Sequence, residues 1–354
     1  MSVSSLANLA EKAEIGHNLE DSEIRVAADL LTSPEPSPED KERLLVALAD
    51  KGESPKEIAS FASQFRELAR DPEVGEFARS AIDVCGTGGD KSGSFNVSTT
   101  VAFVLATAGI HVFKHGNRSI TSKCGSADLL EAVGIPLEAK PELIRSSLKE
   151  LHFAFFFAPA FHPAFKEIVP VRKSLAAKGH RTVFNVLGPL INPGRPAHQL
   201  LGVFSPDFVS ILAPCLEALK LRRGLVVHCE LPDGNGLDEL SCAGTNMVSG
   251  VGELSGIQGK WSPEEFGLQR HHSSELAGGD VSDNLHLLNA VFSDGAPTGL
   301  LDTICLNAGT SLWIADRAKN VQEGIGIAKD LLLSGDVRSW LSRAKAFYAD
   351  IHDA

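Results

Sequence analysis

Two rhythms of apolar and polar positions divide this 354-residue chain near residue 80. Before that point the pattern is helical and polar-faced, punctuated by Ser37-Pro-Glu-Asp40 and Ser54-Pro-Lys-Glu57. Each of these places a hydroxyl at a helix N-cap, proline at the first helical position and an acid in the first turn. No strand pattern interrupts the stretch, so residues 1–80 are predicted to form a small helical domain.

From residue 81 short apolar runs alternate with amphipathic segments. Strands are predicted over 81–85, 110–114, 153–157, 200–204 and 224–229, with helices over 127–133, 141–151 and 207–221 between them. The run Val101-Ala-Phe-Val-Leu-Ala-Thr-Ala-Gly109 reads as a buried helix. This alternation predicts an α/β fold with a mostly parallel central sheet flanked by helices. From Val281 onward the pattern is nearly all amphipathic helix, expected to cover the sheet and add no chemistry. Residues 161–193 are less regular and rich in Pro, Arg and Asn.

The candidate chemistry sits at the first two strand-to-helix junctions. Asp83-Val-Cys-Gly-Thr-Gly-Gly-Asp90 ends the first strand, and Gly86, Gly88 and Gly89 can take positive φ and bring backbone N–H groups close to a bulky anion. Asn96-Val-Ser-Thr99 falls at the start of the buried helix, where unpaired N–H groups and the dipole favour anions and hydroxyls can cap. The second strand delivers Lys114-His-Gly-Asn-Arg-Ser119, followed by Thr121, Ser122 and Lys123, to the same edge. Ligands of open α/β sheets bind outside the carboxyl ends of strands, so the two junctions converge on one crevice suited to phosphate. Ser126 is the expected N-cap of the following helix. Adjacent acids Asp238 and Glu239 on a loop read first as surface decoration, with a hard-cation site as the lesser alternative.

Charge and composition narrow the picture further. A formal charge of −12 argues against nucleic acid as a general partner, while locally clustered cations leave an anionic substrate open. The six cysteines show no metal spacing and read as reduced, with Cys85 and Cys124 beside the glycine and hydroxyl motifs. No apolar run reaches the roughly 18 residues of a membrane span, and the first residues lack an apolar signal core. A cytoplasmic enzyme without a membrane partner is expected. At this length the chain is expected to form two domains.

These motifs, with Phe161-His-Pro-Ala164, Pro170-Val-Arg172, Arg181-Thr-Val-Phe-Asn-Val-Leu-Gly-Pro-Leu-Ile-Asn-Pro193 and Leu237-Asp-Glu-Leu240, resemble the anthranilate phosphoribosyltransferase family, whose fold is nucleoside phosphorylase-like. The resemblance implies transfer of the phosphoribosyl group of phosphoribosyl pyrophosphate (PRPP) to the amine of anthranilate, the second step of tryptophan biosynthesis. It implies PRPP contacts at Gly86, Gly89, Asp90, Ser94, Asn96, Val97, Ser98 and Thr99, then at Lys114, His115, Gly116, Asn117, Arg118, Ser119, Ile120, Thr121 and Ser122, and at Ser126. It implies anthranilate contacts at Gly86, Asn117 and Arg172, a guanidinium fork suiting a planar carboxylate. Ser98, Asp238 and Glu239 would hold two Mg²⁺ ions per monomer. His115 and His162 would lie near the amine path, with positioning at least as good an explanation as general-base action. The helical domain, rejoined by residues 166–195, would carry a homodimer contact, and 81–165 with 196–354 would form the larger α/β domain.

The chain departs from the family pattern at Lys91, at Cys124 and in longer stretches at 176–180 and 230–236. A nucleoside phosphorylase would need a pyrimidine-recognition pattern in place of the 181–193 block. A non-catalytic nucleic-acid-binding relative would show eroded motifs and a basic face, which the intact motifs and acidic charge disfavour.

Overall fold

The computed structural model describes residues 5–90, 92–118, 123–293 and 295–352. The N-terminal pattern folds as helices Leu6–Glu14, Asp21–Leu31, Pro38–Lys51 and Pro55–Glu67, followed by the single turn Gly75–Ala78. Both serine signals act as caps. Ser37 Oγ accepts from Asp40 N at 3.1 Å and Ser54 Oγ from Glu57 N at 3.2 Å, while the Glu57 carboxylate accepts Ser54 N at 2.9 Å to close a capping box.

The apolar faces of these helices meet a later part of the chain. Leu44, Leu48, Phe61 and Phe65 share one core with Ile168, Val171, Leu187 and Leu190, and that core runs on through Leu212 and Leu216 of helix Asp207–Ala218 to Leu201 and Val226 on one face of the sheet. Segment 168–191 therefore packs with the N-terminal helices as well as with the sheet.

The sheet comprises β1 (Ile82–Gly86), β2 (Val112–Gly116), β3 (Phe153–Phe157), β4 (His198–Gly202), β5 (Arg223–Glu230), β6 (Gly236–Leu237), β7 (Thr245–Gly252) and β8 (Gln258–Trp261). Its order is β3-β2-β1-β4-β5-β7-β8, with β6 on β5; β1 to β5 are parallel, and β6, β7 and β8 add antiparallel pairs. The expected mostly parallel sheet is present, and the antiparallel edge is an addition. Two glycines weaken the strand signal of β7, and β8 is largely exposed with no apolar alternation to read.

Two strands lie two residues away from their expected positions, β2 at 112–116 and β4 at 198–202. In β4 the pairing continues through polar residues because they find partners. Gln199 Nε2 donates to Pro189 O at 2.8 Å, and His198 Nδ1 lies 3.0 Å from Ala81 O. An apolar-run reading stops where such residues begin.

On the other face, helix Val97–Thr107 is buried almost throughout and packs with helices Thr298–Ile314 and Asp336–His352. Trp340 closes this layer, its indole N–H donating to Leu151 O at 2.9 Å. Among the described residues no helix is long and apolar enough to cross a membrane. Because β1 has β2 on one side and β4 on the other, chain progression reverses across it, which places a crevice outside the ends of β1 and β4.

Candidate functional site

At that crevice two strands end in glycine for a reason of space. A Cβ on Gly86, at the end of β1, would collide with the Asp238 side chain, and one on Gly202, at the end of β4, would overlap the Asp238 carbonyl. Only glycine lets the Asp238-Glu239 turn sit directly on the switch point. Of the three glycines expected to take positive φ, Gly88 (70°) and Gly89 (82°) do and Gly86 does not, and Gly93 (64°) joins them. With Gly88 turned in this way, its N–H donates to Asp238 Oδ2 at 2.6 Å.

The acidic pair is not surface decoration. Both residues keep an edge open, yet their carboxyls are packed among protein atoms. Burial, reinforced by neighbouring Asp90, raises Asp238 to about 7. Burial beside Asp238 and Asp90 pushes Glu239 well above the usual carboxylate range, and its Oε1 has no hydrogen-bond partner among the described residues. Asp90 accepts Ser92 N through Oδ1 at 3.1 Å and, more weakly, Asp238 N through Oδ2 at 3.4 Å. The longer 230–236 stretch forms the turn from β5 into β6, with Leu231 N donating to Asn235 O at 2.9 Å.

Helices that looked chemically silent hold these loops. Asn307 of helix Thr298–Ile314 donates to Leu240 O at 2.6 Å and accepts Leu240 N at 3.2 Å, fixing the turn just after the acids. Asn284 of helix Val281–Val291 accepts Asn96 N at 3.2 Å and Asn96 Nδ2 at 3.3 Å, and residues 276–278 bond the backbone of 93–95. The expectation that nothing beyond Val281 bears on the chemistry is therefore corrected. One polar residue on an apolar helix gives no pattern that points to a distant loop.

Asn96 occupies the N-cap position of helix Val97–Thr107, yet its amide turns away to Cys124 O at 3.2 Å and to Asn284. Among the described residues the N–H groups of Ser98 and Thr99 take no backbone acceptor, so this helix start is left open for an anion. Val97 points into the core and gives its N–H to Phe95 O, so it shapes the turn. Thr99 is fully buried, and its hydroxyl has no partner among the described residues. Ser94 lies beside Ser92, the two hydroxyls 3.0 Å apart.

From β2, buried Lys114 donates to Val84 O at 3.0 Å and Ser98 Oγ at 3.3 Å, tying β1 to the helix start. Burial lowers its pKa despite the nearby Asp83 carboxylate; burial also raises Asp83, to about 6. Arg118 forms ion pairs with Asp128 and Glu131, both at 2.9 Å, on helix Ser126–Ala132. That helix is capped at Gly125, so Ser126 is its first residue and not its cap as expected. Ser126 Oγ instead leans on Asn117 O at 3.4 Å, in space that only glycine at 116 leaves open. Ser119, Ile120, Thr121, Ser122 and Lys91 lie outside the described residues.

A second compartment of about 410 Å³ opens beside this edge. Gly86, Thr87, His115 and Asn117 form one wall, and Arg172, Phe184 and Pro189 lie among its other lining residues. The Arg172 guanidinium lies 5.2 Å from the Phe184 ring centroid, has no carboxylate partner among the described residues, and is lowered in pKa by burial. Sequence reasoning missed Thr87, Phe165, Phe184 and Asn185 as lining residues. The signal at hand was their place inside or beside motifs already singled out.

His115 and His162 face each other with ring centroids 5.3 Å apart. Nδ1 of His115 lies 3.2 Å from Gly188 O, so it must carry the proton, leaving Nε2 a lone-pair acceptor with no partner among the described residues. Burial, with His162 adding repulsion, holds His115 down to about 3, and burial holds His162 to about 4. Burial pushes the Cys85 thiol well above the usual range.

Comparison with known proteins converges on one group. A family model described as "Glycosyl transferase family, a/b domain" matches residues 78–338. The anthranilate phosphoribosyltransferase of Rubrobacter xylanophilus is 40% identical over 338 residues, covering 96% of each chain. That of Thermus thermophilus is 42% identical over 337 residues, or 95% of this chain and 98% of the relative. A crystal structure of the Thermus thermophilus enzyme matches with a TM-score of 0.87, covering 96% of this chain and 99% of that one. The Saccharomyces cerevisiae enzyme, solved with PRPP and Mg, matches at 0.83 over 99% and 100% of the two chains; at 24% identity that likeness is one of fold.

Proposed function

This chain belongs to the anthranilate phosphoribosyltransferase family, and from that premise we propose how its two compartments carry out the reaction. The phosphoribosyl group of PRPP passes to the anthranilate amine, giving N-(5-phosphoribosyl)anthranilate and pyrophosphate. The C1–O bond to pyrophosphate breaks, the C1–N bond forms, and the amine loses a proton. Charge develops as an oxocarbenium-like centre and a departing polyanion, so catalysis needs positioning and electrostatic stabilisation rather than a protein nucleophile.

The open N–H groups of Ser98 and Thr99 and the glycine turn at 86–89 suit the phosphates. Mg²⁺ fits the acidic side of the crevice. Asp238, Glu239 and Asp90 gather negative charge, with an unpartnered Glu239 oxygen among them. The described residues form no ready three-ligand cage, as suits an ion that takes one or two carboxylates, water and substrate oxygens. We assign Asp238, Glu239 and Ser98 to two such ions; when bound, they would neutralise the leaving pyrophosphate.

The acceptor occupies the 410 Å³ compartment, its carboxylate paired with Arg172 and its ring among the apolar walls. Bases held near 3 and 4 take up a proton poorly at neutral pH, so His115 and His162 position the acceptor. The core shared by the N-terminal helices and 168–191 supports grouping residues 1–80 with 166–195 as the helical domain, and the same core runs on to Leu201, Leu212, Leu216 and Val226 and so seats it on the domain of 81–165 and 196–354. A cytoplasmic homodimer through the helical body completes the reading; Ile15 on that body is 72% exposed.

The observation that carries the proposal is the Asp238-Glu239 turn, seated on Gly86 and Gly202 beside an uncapped helix start. Replacing both acids, Asp238→Asn with Glu239→Gln, is expected to abolish Mg²⁺-dependent turnover in a protein that melts normally. Retention of the wild-type response to Mg²⁺ would remove the assignment.

A further inference from the structure

A second cavity, larger than the acceptor compartment, lies away from it. It encloses about 710 Å³ between helices Asp21–Leu31 and Pro55–Glu67, the 195–197 turn and the end of helix Asp207–Ala218. Five cations from four separate segments line it: Lys56, Arg66, Arg79, Arg195 and Lys220. Only two acids, Asp21 and Glu67, accompany them, so the lining carries three excess positive charges in a chain whose net charge is −12.

Local ion pairs do not account for this set. Lys56 reaches Glu20 at 3.4 Å and Asp21 at 3.9 Å, and Arg195 reaches Glu67 at 2.8 Å. Arg79 and Lys220 have no ion pair among the described residues. Arg66 lies deep in the wall. Burial, with Arg195 repelling it, lowers it to about 10, and among the described residues its one hydrogen bond runs from Nε to Leu190 O at 2.6 Å.

The backbone adds a second observation. Among the described residues five non-glycine residues have φ in the left-handed region, and two of them are Arg195 (50°) and Lys220 (60°). Glycine would sit at either position without strain. Two cations held on unfavourable backbone around one cavity suggest that their charge there has a use. The wall is also shared, because Pro189 and Ile191, the neighbours of Leu190, line the acceptor compartment.

We propose that this cavity binds a small phosphate-bearing anion and that its occupancy is felt in the acceptor compartment through Arg66 and Leu190. A volume of this size accepts a nucleotide, and three excess charges match a polyphosphate better than a single carboxylate. Arginine forks on the wall suit phosphate oxygens.

The test uses the full-length enzyme with PRPP and excess Mg²⁺ saturating the catalytic crevice and no anthranilate present. Trinitrophenyl-ATP, whose fluorescence rises on binding, is the probe, with inorganic tripolyphosphate and citrate as competitors. The comparison is the double variant Arg79→Ala with Lys220→Gly. It removes two unpaired, exposed cations and relieves one strained residue, so it should melt no lower than wild type. The expected result is saturable binding at one site per protomer, displaced by tripolyphosphate but not by equal citrate, and at least tenfold weaker in the variant. Tripolyphosphate should also shift the anthranilate KM at least twofold in wild type and leave the variant unchanged. Absence of PRPP-resistant binding, or binding that survives the double variant, overturns the site. Equal displacement by citrate overturns the phosphate class, and an unmoved anthranilate KM overturns the coupling.

Discussion

Gly202 shows how one absent atom arranges the chemistry. It ends β4, and any side chain there would meet the Asp238 carbonyl, which is backbone and cannot swing aside. Gly202→Ala is expected to cost about 1–3 kcal/mol, as overpacking does, and to lower kcat at least tenfold by lifting the acidic turn. Calorimetry and steady-state kinetics check this; normal melting with normal kcat would contradict the seating argument. Arg172→Ala is the matching change across the crevice. It removes the guanidinium from a wall with no other assigned carboxylate partner, so the anthranilate KM should rise at least tenfold while calorimetric PRPP binding persists. Lost PRPP binding would move Arg172 out of the acceptor role. The glycine and acid motifs were legible in sequence, but their contact was not. Gly86 looked like a positive-φ residue, whereas its need for glycine comes from Asp238, some 150 residues later, which no local pattern reveals.

At the scale of elements, the parallel strands and buried helices were readable because their apolar periodicity is strong. The antiparallel edge and the partners of the 93–96 loop were not. Helix Val281–Val291 reads as a cover, yet its Asn284 bonds both the N–H and the side chain of Asn96 while donating to Gly279 O and Asp280 O at 3.0 and 2.9 Å. Asn284→Ala should cost about 1–3 kcal/mol, since buried partners lose their bonds. The anthranilate KM should stay within twofold while the PRPP KM rises severalfold, because the loosened segment is the start of helix Val97–Thr107. Equal changes in both constants would show general destabilisation instead. Ser126 teaches the same lesson on a smaller scale. Its sequence position suits a cap, but Gly125 takes that place and frees the serine hydroxyl to lean on Asn117 O.

For the whole molecule, the buried histidines set a pH signature. His115 and His162 are held to about 3 and about 4, below the ordinary value near 6.5. Between those values and about 6.5 the unfolded chain binds protons that the folded one refuses. The contribution of these two histidines is therefore flat above that window and falls as pH drops through it, by about 1.4 kcal/mol per pH unit for each, while buried Asp83 and Asp238, raised to about 6 and about 7, contribute with the opposite sign. His162→Gln should reduce the slope of urea-derived stability between pH 6 and pH 4.5 by roughly one proton's worth; an unchanged slope would contradict its buried neutral state. The same depression means that turnover should show no acid limb near pH 6.5 from either ring.

The central claim is that the crevice at the β1/β4 switch point and the adjoining compartment together join a phosphoribosyl group to anthranilate. Anthranilate fluorescence, followed on mixing purified protein with PRPP and Mg²⁺, tests it most directly, with EDTA and PRPP-free mixtures beside it. The account predicts loss of fluorescence that needs both PRPP and metal. No loss in a folded protein shown separately to bind PRPP, or loss that persists in EDTA, would contradict it.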